Sequence, residues 1–122
     1  MTDILALCDL VRRTSLSVHS YLRCGFPEKV YENALVNRLT KQRIRVAQQF
    51  PIEIYDEDGT KLGHYTADLL VEQVLIIELK ACQMLRTEDT AQLFGYLRGS
   101  RHKHGMLINF GARKIELKKL IL

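Results

Sequence analysis

The sequence predicts an α/β protein, α+β by the order of its elements, with helices flanking one central sheet in the order ααβββαββ. Three observations carry that prediction. The first 42 residues hold two stretches with apolar residues at helical spacing. Three segments rich in aliphatic and β-branched residues follow, between about 44 and 80. A third helical stretch then precedes two more strand-like segments. A chain of 122 residues suffices for one domain, 1–122, with a two-layer core.

Each element has its own signal. Thr2 or Asp3 caps a helix from about Ile4 to Leu22, in which Ile4, Leu7, Cys8, Val11, Ser15, Val18 and Leu22 share a face. Cys24-Gly25 ends it, and Pro27 suits the first turn of a second helix that runs to about Gln42. Strands follow at about 44–56, with Pro51 as the place for a bend, at 62–71 and at 74–80. Asp56-Glu57-Asp58-Gly59 joins the first two as a hairpin turn. Thr87 caps a third helix from Glu88 to about Arg98, with Glu88 and Asp89 at its positive end. Met106 to Phe110 reads as a short buried strand, and a turn at Gly111-Ala112 leads to a last strand, Lys114 to Ile121.

Composition narrows the class. Hydrophobic residues at 47% and charged residues at 26% are those of a soluble globular protein. No apolar run approaches the roughly 18 residues of a membrane helix, and the Met-Thr-Asp start lacks the basic and apolar regions of a signal peptide, so a cytoplasmic location is expected. Cys8, Cys24 and Cys82 are scattered without metal-ligand spacing and read as free thiols. A net charge of +4 fits a polyanionic partner.

The chemistry lies in the second hairpin, Tyr65–Val71 and Val74–Lys80, where Asp68, Glu78 and Lys80 interrupt apolar runs. A charge in a buried strand is costly unless it is paired or binds an ion. A two-residue turn at Glu72-Gln73 would set Asp68 against Ile77. A three-residue connection, 72–74, sets it against Glu78 and gathers Thr66, Asp68, Leu70, Ile76, Glu78 and Lys80 on one face. Tyr65, Ala67, Leu69, Val71, Leu75, Ile77 and Leu79 then form the other, almost wholly apolar face, so the odd loop is predicted. Opposed Cβ atoms lie about 5 Å apart, and two carboxylates there repel unless a cation sits between them. Mg²⁺, with Mn²⁺ as a substitute, accepts one or two carboxylates plus a phosphate. Lys80 can assist an attacking water or neutralise a phosphate, so the set suffices for phosphodiester hydrolysis; the bland alternative is a surface salt bridge. Glu116-Leu117-Lys118 repeats Glu-x-Lys without an opposed acid, and reads as a solvated strand face.

Asp-x9-Glu-x-Lys on a hairpin resembles the core of the PD-(D/E)xK nuclease superfamily, with Ala67 where a proline often stands. Gly25-x-x-Glu28-x-x-Tyr31 is similar to the signature of the small GxxExxY proteins in that superfamily, and so is Leu107-Ile-Asn-Phe-Gly111. The resemblance spans about residues 12–121. It implies a restriction-endonuclease-like core with a mixed sheet, and Glu28 as a helical acid reaching the metal site with Asp68 and Glu78. Gln92 and Tyr96 resemble the Gln-x-x-x-Tyr motif of exonuclease-like branches, which gives Gln92 a catalytic place near Lys80 and Tyr96 a contact to substrate. His19 aligns with a histidine before the glycine, and is as well explained as a structural, hydrogen-bonded group. Tyr31 is read as core.

Arg98, Arg101 and Lys103, with His102, cluster after the third helix as a candidate phosphate-binding rim, against the plain alternative of a solvated face. Three functions fit these residues: a metal-dependent nuclease acting on DNA, with RNA the lesser alternative; a nucleic-acid-binding or regulatory module without turnover; and a structural, oligomer-forming protein. The chain has little room for a recognition domain, so a homodimer, a partner protein or substrate structure would have to supply specificity.

Overall fold

A computed structural model describes residues 3–122. Its elements are α1 (Ile4–Leu22), α2 (Glu28–Lys41), β1 (Val46–Tyr55), β2 (Lys61–Val71), β3 (Leu75–Lys80), α3 (Thr87–Ser100), β4 (His104–Asn109) and β5 (Glu116–Ile121), the order the sequence predicts. The five strands form one sheet in the order β1-β2-β3-β4-β5. All neighbours are antiparallel except β3 and β4. That parallel pair needs a crossover, and α3 is it.

Asp3 caps α1, its carboxylate accepting from the amides of Leu5 and Ala6; the alternative cap, Thr2, lies outside the described residues. Gly25 has φ +121°, a conformation open to glycine, where the chain turns between the helices. The Tyr31 ring stacks on Phe110 with centroids 4.9 Å apart, and its hydroxyl donates to the Arg23 carbonyl and accepts from the Phe26 amide. Tyr31 is thus a core residue that latches the loop in front of Glu28. The cap of α3 differs from expectation. Arg86 occupies the N-cap and Thr87 is the first helical residue, because the Asp89 carboxylate accepts the Arg86 amide while the Thr87 hydroxyl turns to Glu88.

Two apolar layers cover the sheet. One joins α1 and α2 (Leu7, Val11, Val18, Tyr31, Leu35, Leu39) to Leu69, Val71, Leu75, Ile77, Leu79, Met106 and Ile108. The other joins α3 (Leu93, Tyr96, Leu97) to Ile52, Ala67, Leu70, Ile76, Leu107 and Leu120. Each fully buried Leu or Ile contributes roughly 1.5–3 kcal/mol. Ala67 lies in the α3 layer, and the Tyr65 ring meets Tyr96 of α3, so both face away from Leu69 and Val71. The strict alternation expected from the sequence therefore fails at one point. The β1–β2 ladder keeps one register on either side but skips the Gln49–Asp68 pair, and Gln49 has φ +53°. Val46 packs with the α1–α2 layer, whereas Phe50, Ile52 and Ile54 pack with α3. Both strands turn over together at Gln49 and Asp68, before Pro51, which pairs in register with Thr66 on the sheet edge; the ladder shifts register between Ile54 and Tyr55.

At the other edge of the site, Gly111 packs so closely that a Cβ would lie 2.3 Å from the Cys82 backbone nitrogen. Gly111→Ala is expected to lower stability by about 2 kcal/mol or more, since the clash is with backbone. A denaturation midpoint matching wild type would show that this contact yields freely.

Candidate active site

The connection between β2 and β3 is the odd, three-residue one. Val71 pairs with Leu75, and Glu72 and Gln73 both adopt positive φ (50° and 60°), as a type I′ turn requires. Register then brings Asp68 and Glu78 opposite each other, where the ladder opens. The Asp68 amide donates to Glu78 Oε1 at 2.9 Å, and the Leu79 amide donates to Asp68 Oδ2 at 2.7 Å. Each strand offers its N–H to the other's carboxylate instead of a carbonyl.

The electrostatics follow from this geometry. Glu78 is 6% exposed. Its burial, and next the Asp68 charge, raise its carboxyl from an ordinary 4.5 to about 8. Burial also raises Asp68, and Glu32 adds to the effect, while the Leu79 amide and Gln49 favour its ionised form. The Glu28 residue is exposed overall, yet its carboxyl is raised, first by the protein packed against it and then by Asp68. Lys80 Nζ donates to Gln92 Oε1 at 3.4 Å and lies 3.8 Å from Asp89 Oδ1, both on α3. Tyr96 stands in the same field: burial first, then Glu78 and Asp68, raise its phenol.

The structure therefore brings together Asp68, Glu78, Lys80, Gln92 and Tyr96, with Glu28 close enough to sense Asp68 and Lys80. The basic cluster divides. Arg98 and Arg101 line a cavity beside Tyr65, whereas Lys103 stands at the start of β4, its carbonyl accepting from the Leu122 amide. His19 bonds to the Ala112 carbonyl and packs on Phe110, a structural role. His102 and His104 each leave a buried Nδ1 without a partner among the described residues.

Two acids emerge that the sequence reading did not single out for the site. Glu32 is 2% exposed and accepts from Lys29, Gln48 and Gln49. It stands four residues after Glu28 on α2, so helical spacing, which sets such residues on one face, could have found it. Asp89 was assigned to the helix dipole alone, yet it also holds Lys80. Glu116 is a third correction, outside the site. It is half-buried rather than solvated, and accepts from the Leu85 amide and Asn109 Nδ2.

The donor set suits a hard cation: two carboxylates from opposed strands, both raised first by burial, and Glu78 next by the Asp68 charge, a cost that a divalent ion would relieve. Among the described residues no group of three or more His, Cys, Asp and Glu side chains is gathered to hold a metal ion. Asp68 and Glu78 would thus supply an incomplete shell of the kind Mg²⁺ accepts beside a phosphate. No helix among the described residues is long and apolar enough to cross a membrane.

No curated protein matches the chain in sequence. The crystal structure of SSO0001 shares its fold, with a TM-score of 0.61 at 16% identity. The match covers 76% of this chain and 48% of SSO0001, so the chain spans about half the length of that protein. The five-stranded mixed sheet with flanking helices is the restriction-endonuclease-like α+β fold. A family model described as the PD-(D/E)XK nuclease superfamily matches residues 6–120. The chain belongs to the PD-(D/E)XK nuclease superfamily.

Proposed function

We propose that the protein is a metal-dependent nuclease that hydrolyses phosphodiester bonds of DNA, with RNA as the lesser alternative. One observation carries this reading: Asp68 and Glu78 oppose each other across an opened ladder, with Lys80 two residues further along β3. Asp68 and Glu78 would hold Mg²⁺ or Mn²⁺, with Glu28 beside them. When bound, such an ion would supply Lewis-acid stabilisation of charge developing on the phosphoryl oxygens. Lys80, steadied by Gln92 and Asp89, orients the attacking water and offsets phosphate charge. Within the superfamily, Gly25, Glu28 and Tyr31 favour the GxxExxY group, since the Tyr31 latch and the Gly25 turn fix the entry to α2 at Glu28.

A second reading is a nucleic-acid-binding module without turnover. The engagement of Lys80 by Asp89 favours it, because an ammonium held by a carboxylate is partly withdrawn from substrate.

Cleavage of a panel of DNA and RNA structures with Mg²⁺ or Mn²⁺ separates the two. Wild type is expected to cleave, and Asp68→Ala and Lys80→Ala to be slower by at least about 10²–10³. Equal rates in all three proteins would point to a contaminant and sink the nuclease reading. Binding without cleavage in all three would establish the module instead.

A further inference from the structure

Between the β1–β2 hairpin and α3 lies a cavity of about 450 Å³, lined by Glu53, Tyr55, Tyr65, Gly95, Arg98 and Arg101 among others. Its size falls within the roughly 300–1,000 Å³ of small-ligand sites, too small for a duplex and ample for one nucleotide. Tyr55 and Tyr65 are 54% and 49% exposed, an unusual investment of aromatic surface in solvent. The Tyr65 ring in its wall lies 5.3 Å from that of Tyr96, which stands in the field of Glu78 and Asp68, so one aromatic contact links the cavity to the candidate site. Arg98 and Arg101 supply guanidinium groups suited to phosphate. The acid in the wall, Glu53, is occupied by Lys61 at 3.2 Å and by the Tyr55 hydroxyl, so the lining does not repel an anion.

Gly95 is an independent sign that the space is kept open. It lies within α3, where glycine costs about 1 kcal/mol relative to alanine. A Cβ there would meet nothing within 4 Å among the described residues, so close packing does not explain it. A larger side chain would project into the cavity.

We propose that this cavity takes one unpaired nucleotide next to the scissile phosphodiester, its base against Tyr65 and Tyr55 and its phosphate toward Arg98 and Arg101. The substrate is then single-stranded nucleic acid or a duplex with a splayed end or flap, since paired bases keep their faces inside the stack. The proposal rests on the nuclease reading for the word scissile; the binding site itself does not.

The test uses a labelled single strand and a blunt duplex of equal length, with Ca²⁺ in place of Mg²⁺, and reads binding by fluorescence anisotropy. Wild type is expected to prefer the single strand by at least about tenfold. Gly95→Leu, which fills the cavity, and Tyr65→Ala, which removes the platform, are each expected to bring that preference to within about twofold. Thermal unfolding confirms that each variant is folded, and Tyr65→Ala decides alone if Gly95→Leu is not. A wild type without the preference, or folded variants that retain it, would overturn the proposal. Cleavage is scored separately: preference without cleavage keeps the cavity and removes the nuclease, and cleavage of blunt duplex without preference does the reverse.

Discussion

Glu78→Gln is expected to raise stability above pH 8 by on the order of 5 kcal/mol, and to leave it nearly unchanged near pH 4. Glu78 titrates near 8 in the folded protein and near 4.5 once unfolded. Between those values the folded state holds a proton that the unfolded state has released. Wild-type stability therefore falls as pH rises from about 4.5, and the loss is complete above about 8. Glutamine keeps an oxygen to accept the Asp68 amide, and carries neither the burial penalty of a charge nor repulsion toward Asp68. The gap between the two proteins should open with pH in urea denaturation series, and parallel curves would contradict it. The same substitution removes a carboxylate from the proposed site, so a stabler protein with cleavage slowed about 10²-fold or more is expected.

Asn109→Ala is expected to destabilise the fold by about 3–5 kcal/mol. Asn109 is fully buried. Its Oδ1 accepts the amides of Cys82 and Gly111, and its Nδ2 donates to the Cys82 carbonyl and to Glu116. Alanine strands all of these partners where water has little access. The clasp also lies immediately after Lys80, and Glu116 passes it on to Leu85 at the approach to α3. Loosening it should disturb Lys80 relative to Gln92 and Asp89. The denaturant midpoint reports the stability loss, and a change below about 1 kcal/mol would show that water replaces the side chain.

The parts of the site legible in the sequence were those set by parity. An odd loop places Asp68 against Glu78 whatever the surrounding sheet does, and the apolar residues around them left one workable register. Gln92 came from its resemblance to the Gln-x-x-x-Tyr motif, in which four-residue spacing sets it on one helical face with Tyr96. What escaped depended on three-dimensional company. Glu32 looks like any helical acid until Gln48 and Gln49 close over it. Glu116 looked solvated because its partners, Leu85 and Asn109, come from other segments. Arg101 and Lys103 are only two residues apart in sequence, but Arg101 ends the helix in a left-handed conformation (φ 59°) and the chain departs along β4. Tyr65 and Ala67 fit an apolar face equally well on either side, so alternation alone could not announce the reversal at Asp68.

That reversal bears on how such a site can change over time. Where β1 and β2 turn over, Gln49 and Asp68 belong to neither apolar layer. A position claimed by no core can exchange one polar group for another without opening a void, so its identity is set by what it binds rather than by what it packs. The residues on either side, Ala67 and Leu69, answer to different helices and have no such freedom. The hairpin thus confines variability to the point where the proposed chemistry would sit, and a lineage could retune or silence that site while inheriting the scaffold intact.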